Sequence, residues 1–197
     1  MSLILTMCAF SLAMSISPGP VNMVIVSSGA NHGFQRTMPF VSGATIGFTL
    51  LLLFIGLGFF QFVKSYPFFL DYLTVAGSTF IIYMGYKVAT SIPDIAVKDK
   101  DIPRFFEGFL LQWLNPKAWI ACVSGVSLFS NPETHATLLT FVFLYFLICY
   151  ASLAAWAILG DKATLLLGDH GRLRLFNIVM GVLLIGCACY MLYIQLI

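Results

Sequence analysis

Charge is what this chain has least of. Only 9% of its 197 residues are Asp, Glu, Lys or Arg, against roughly 25% in a soluble domain. Such a chain cannot coat a water-facing surface. The net charge of +2, with no basic run interleaved with aromatics, excludes a nucleic-acid partner. The five cysteines (Cys8, Cys122, Cys149, Cys187, Cys189) contain no Cys-x-x-Cys pair, so neither a disulfide framework nor a thiol relay is indicated. His32, His135 and His170 fall in expected loops, too scattered for a metal site, and no cofactor is expected. No Lys or Arg precedes the first apolar run, Met1 to Ile16. That run continues past a break to Ser28, too long for a cleaved leader, and reads as a retained first span.

What the chain has is apolar length: 60% hydrophobic residues and a mean hydropathy of +0.96. A membrane span needs about 20 apolar residues. Six stretches qualify: Leu3–Ser28, Phe40–Phe62, Phe68–Ala89, Phe105–Phe129, Leu138–Gly160 and Leu175–Leu196. Basic residues favour the cytoplasmic side. Eight of the ten lie in the first, third and fifth loops: Arg36; Lys87, Lys98, Lys100 and Arg104; Lys162, Arg172 and Arg174. Those loops are expected to be cytoplasmic and both termini periplasmic.

Pro39, Pro67, Pro93, Pro103 and Pro132 are expected in loops or at helix starts, where they cost little. Pro18, Pro20 and Pro116 instead fall inside long apolar stretches. Ser17-Pro18 and Asn115-Pro116 each read as a cap residue followed by proline at the first helical position. They lie 98 residues apart, and Phe40–Phe62 shifted by the same 98 lands on Leu138–Gly160. The expected fold is therefore an all-α integral membrane protein of six transmembrane helices. It forms two inverted three-helix repeats with discontinuous first and fourth helices. The whole chain, 1–197, is one transmembrane domain: a repeat over 1–90, a cytoplasmic linker over 91–104 and a repeat over 105–197.

Irregular backbone at membrane depth is tolerated where it lines a cavity. At ~1.5 Å per residue, Pro18 and Pro116 both lie about 15 Å from the cytoplasmic face, near the centre of a core about 30 Å thick. The two breaks should therefore meet, with both positive half-helix ends at the midplane. Lys117 adds a full charge there, at a cost of ~2.5–3.5 kcal/mol. No Asp or Glu lies at matching depth, so the expected counter-charge is a ligand carboxylate. The candidate binding residues are Ser17, Pro18, Gly19, Pro20, Asn22, Asn115, Pro116 and Lys117. The plainer reading is that Lys117 snorkels and the prolines only kink packed helices. Gly43-x-x-x-Gly47 and Asn177 read as helix packing, with a role along the substrate path as the alternative. Asp161 is a candidate proton carrier, with an exposed helix-end carboxylate as the bland reading. Trp113, Trp119 and Trp156 read as packing or interface aromatics, with lining a pocket as the alternative.

These residues resemble a known family. Ser17-Pro18-Gly19-Pro20, Ser27-Ser28, His32-Gly33-Phe34 and Gly43 with Gly47-Phe48 resemble the first half of the lysine-exporter family. Gly108-Phe109-Leu110-Leu111-Gln112-Trp113-Leu114-Asn115-Pro116-Lys117-Ala118 is similar to its second-half motif, with weaker matches at Gly77, Tyr83, Gly85, Asn177 and Gly181. The resemblance covers essentially the whole chain. It implies a bacterial inner-membrane exporter of amino acids, driven by the proton gradient. Within the family the chain is similar to the homoserine/threonine branch, and there to cysteine and O-acetylserine exporters. Expected partners are an amino-acid substrate and the lipid bilayer, with a homo-oligomer compatible.

Lacking a deep acidic residue to receive a cationic side chain, the chain is expected to prefer small neutral substrates over lysine or arginine. An ion or metal exporter on a similar inverted-repeat scaffold would need clustered ligands at depth, and the deep ligand-type residues are isolated cysteines. An enzyme would need a paired acid and base, and none is present in the apolar segments. A non-transporting scaffold would have no use for breaks in mid-span.

Overall fold

Proline and glycine set the boundaries of this all-helical chain. The computed structural model describes residues 2–66, 68–91, 102–130, 135–167 and 170–196. Pro67, Pro93, Pro132, Lys98, Lys100 and most of the expected 91–104 linker lie outside the described residues. The helices are α1 (Leu3–Ile16), α2 (Pro20–His32), α3 (Phe34–Phe54), α4 (Phe60–Ser65), α5 (Phe68–Ala89), α6 (Phe105–Trp113), α7 (Pro116–Phe129), α8 (Ala136–Leu167) and α9 (His170–Leu196). A single π-helical turn, Ile55–Phe59, joins α3 to α4. No strand occurs among the described residues.

The first break falls two residues later than the sequence reading put it. A residue preceding proline is driven out of the α region. Ser17 (φ −62°, ψ 133°) is extended before Pro18 and closes α1, whereas Gly19 (φ −169°, ψ 178°) is extended before Pro20. Helix α2 therefore starts at Pro20, with Gly19 in the cap position, and Ser17 is not its N-cap. The two pieces bend by 61°. At the second break Asn115 is the N-cap of α7 and Pro116 its first residue, as expected. Pro39 is a further correction: it lies inside α3 rather than in a loop or at a helix start. Gly33, at φ 82°, ends α2 and opens α3, a left-handed position suited to glycine.

Phe34–Phe59, Ala136–Ala163 and Gly171–Ile194 are each long and apolar enough to cross a membrane, and the bent pair α1–α2 makes a fourth candidate span. The outer surface is consistent with lipid: Phe106 is 79% exposed and Leu128 65%. Glycines allow the helices to approach closely. On α3, a Cβ at Gly43 would overlap the Phe105 carbonyl of α6, and one at Gly47 would lie 2.9 Å from the Phe109 carbonyl. On α2, a Cβ at Gly29 would lie 2.5 Å from the Ala157 carbonyl of α8. Gly85 of α5 and Gly181 of α9 face each other in the same way. The core between these crossings is filled by Met7, Ile25, Phe40, Leu51, Leu111 and Phe141, all essentially inaccessible.

Candidate functional site

The α1–α2 break frees a set of carbonyls that helix geometry leaves without partners. Each finds a donor. The Ser17 hydroxyl donates to Met14 O at 3.0 Å. The Asn22 amide donates to Ser15 O (3.1 Å) and Ser17 O (3.0 Å). The Trp156 indole, from α8, donates to Ile16 O at 3.2 Å. Lys117, from α7, donates through Nζ to Ser17 O (3.0 Å), Ser17 Oγ (2.8 Å) and Pro18 O (3.2 Å). The break is thus held by side chains from α2 itself and from two other helices, α7 and α8.

Lys117 sits half-buried beside Gly19, where a Cβ would lie 3.1 Å from its Nζ. Its position answers the question that the sequence left open: its partners are neutral oxygens at the negative end of α1. No carboxylate pairs with it among the described residues; the salt bridge from Lys87 of α5 to Glu107 of α6, at 2.6 Å and with both residues half-buried, lies outside this pocket's lining.

The two helix tips at the breaks differ. Asn115 caps its own helix, its Oδ1 accepting from Lys117 N at 3.1 Å. Gly19 makes no side-chain cap, and the first intrahelical bond of α2 runs from Met23 N to Gly19 O. Pro20 has no N–H, so the N–H groups of Val21 and Asn22 at the tip of α2 have no intrahelical partner. Val21 and Asn22 line a pocket of about 40 Å³ whose polar lining is Ser15, Asn22, Gln112, Asn115, Lys117 and Tyr145. Its walls include Gly19, Phe48, Ala121, Cys149 and Leu153, with the Phe48 and Tyr145 rings stacked 4.3 Å apart.

The structure therefore gathers Ser17, Pro18, Gly19, Pro20, Asn22, Asn115, Pro116 and Lys117 at one place, with Pro116 packed against Gly77 of α5. Gly43 and Gly47 lie on the α3–α6 crossing, outside the pocket lining. Fully buried Asn177 belongs to a second polar cluster. It exchanges amide hydrogen bonds with Asn31 (2.6 and 2.7 Å) and accepts from Ser27 at 3.2 Å. Half-buried Asp161 is not at a helix end; α8 runs on to Leu167, and its carboxylate lies by Gly33 at the α2–α3 turn, outside the pocket lining. Sequence reasoning missed Ser15, Phe48, Gln112, Tyr145 and Cys149. Only Gln112 and Phe48 carried a signal, as members of the quoted runs.

Apolar helices around a polar pocket at a helix break define an integral membrane protein of transporter type. The description "LysE type translocator" matches residues 12–195, and the chain belongs to that family. It is a transporter and not an enzyme. The Cysteine/O-acetylserine efflux protein of Escherichia coli (strain K12) is 28% identical to it over 193 residues, covering 93% of this chain and 94% of the relative. Its counterparts in Escherichia coli O139:H28 (strain E24377A / ETEC) and Shigella flexneri serotype 5b (strain 8401) are 29% and 28% identical, with the same coverage. No solved structure matches the chain.

Proposed function

We propose that the chain exports small neutral amino acids or their derivatives, of the cysteine, O-acetylserine, homoserine and threonine type, across the bacterial inner membrane. One observation carries this reading: an uncapped helix N-terminus and a lysine with only neutral partners share one pocket. The substrate α-carboxylate accepts from the N–H groups of Val21 and Asn22 and from Lys117 Nζ. The α7 tip, capped by Asn115, contributes its dipole alone.

A cavity of about 40 Å³ holds on the order of three waters, less than an amino acid requires. Loading requires the pocket to widen and Lys117 to exchange the Ser17 and Pro18 carbonyls for the substrate. The pocket lining has no carboxylate to receive a cationic side chain, which disfavours lysine and arginine. The cysteine/O-acetylserine efflux proteins among its relatives support a small neutral substrate.

In this reading the fold is six spans in two inverted repeats, 1–90 and 105–197, joined by a cytoplasmic linker, with both termini periplasmic. Gly19 and Lys117, 98 residues apart, touch as equivalent positions do beside a two-fold axis. Each of α3 and α5 packs on its counterpart, α8 and α9. The proton gradient drives export, with Asp161 as the proton carrier. Uptake into inverted membrane vesicles tests the function: cysteine, O-acetylserine, homoserine or threonine should accumulate and lysine should not. Lysine accumulating as well as these would overturn the substrate class.

A further inference from the structure

Three polar groups in the pocket are left with bonding capacity that the surrounding protein does not use. Gln112, Asn115 and Tyr145 all line it and are only 6%, 4% and 2% exposed. Among the described residues the Gln112 amide and the Tyr145 hydroxyl make no hydrogen bond. Asn115 uses its Oδ1 on Lys117 N and leaves its Nδ2 open. Buried polar groups of native proteins are ordinarily partnered. Here the partner must come from the cavity: water when it is empty of solute, and the solute when it is filled.

Resting on the carboxylate seat proposed above, we infer that Gln112 and Tyr145 recognise the remainder of the amino acid. Gln112 Oε1 accepts from the α-ammonium. The Tyr145 hydroxyl bonds the polar atom of a short, uncharged side chain, a hydroxyl, a thiol or the carbonyl oxygen of an acetyl ester. An amide oxygen is the strongest neutral acceptor in the lining, and it holds an ammonium without pairing with Lys117 as a carboxylate would. The side chain is short because the Phe48 ring, stacked on Tyr145, and Leu153 wall the same pocket. It is uncharged because Lys117 repels a cation, and its charge is already taken by the α-carboxylate.

Competition on the wild-type protein tests this without any variant. Labelled cysteine, kept reduced, is taken up by inverted vesicles in the presence of unlabelled serine, 2-aminobutyrate, N-acetylserine or serinamide. Serine and 2-aminobutyrate differ by a hydroxyl in place of a methyl. Serine should compete on the order of tenfold better than 2-aminobutyrate, since a site built to bond a hydroxyl rejects the analogue that lacks it. It should outcompete N-acetylserine, whose ammonium is masked, by a similar factor. Tyr145→Phe should erase the first difference, serine then competing no better than 2-aminobutyrate. Gln112→Leu should narrow the second.

Equal competition by serine and 2-aminobutyrate overturns the role of Tyr145, as does a Tyr145→Phe protein that keeps the difference. Equal competition by N-acetylserine overturns the role of Gln112. Serinamide, which lacks the carboxylate, separates the two levels. If it competes as well as serine, the carboxylate seat itself is wrong and this inference falls with it. If it competes weakly while the other pairs are equal, only the inference falls.

Discussion

Replacing Lys117 by methionine separates folding from transport. Methionine keeps the length and packing of the side chain and removes the charge. On the folding side, Ser17 O retains the Asn22 amide and the Ser17 hydroxyl retains Met14 O, so only Pro18 O loses its donor. An unmet carbonyl costs about 1–3 kcal/mol. Against this, the half-buried charge is removed, which at the membrane depth proposed for it is worth ~2.5–3.5 kcal/mol. The two terms offset, and Lys117→Met should melt within about 2 kcal/mol of the parent, read by fluorescence in detergent. On the transport side, truncating one partner of a buried charge pair costs about 2–5 kcal/mol. Initial rates at sub-saturating substrate should therefore fall at least ~30-fold. A Lys117→Met protein that inserts normally and transports within about threefold of the parent would refute the carboxylate seat.

Three further outcomes are expected. Gly47→Ala puts a methyl 2.9 Å from the Phe109 carbonyl and 3.0 Å from its Cα, forcing α3 and α6 apart and lowering stability by about 1–3 kcal/mol. Gly186, with nothing within 4 Å, is the matched control, and Gly186→Ala should be neutral or stabilising by up to ~1 kcal/mol. Asn177→Ala removes both bonds of the Asn31 pair and the acceptor for Ser27; its melting temperature should fall, by about 1–3 kcal/mol of stability, with substrate selectivity unchanged. Asp161→Asn should abolish the uptake that an uncoupler removes while sparing exchange down a substrate gradient. Full gradient-driven uptake by that variant would rule out Asp161 as the proton carrier.

Local backbone rules made the two breaks legible in the sequence. Pro18 and Pro116 each remove a helix donor and clash with the preceding turn, which favours a break there, and a lysine beside one of them demands oxygen partners. The start of α2 at Pro20 was also readable, because a residue before a proline is disfavoured in a helix and Gly19 holds that position. The partners were not readable. Ile16 O is met by Trp156 and Ser17 O by Lys117, 140 and 100 residues away, and no local pattern announces such pairs. The pocket walls were equally hidden, since Tyr145 and Cys149 sit in an apolar run where every residue looks like lipid-facing filler. Pro39 misled for the opposite reason: packing of α3 overrides a local preference for a helix start.

The seam between α1 and α2 is stitched by threads from α2, α7 and α8 rather than by its own backbone. Displacing any one of those helices therefore tugs on the same few atoms, and the strain arrives where the cargo would sit. Such a joint can swing by trading one thread for another, with no turn of helix having to unwind.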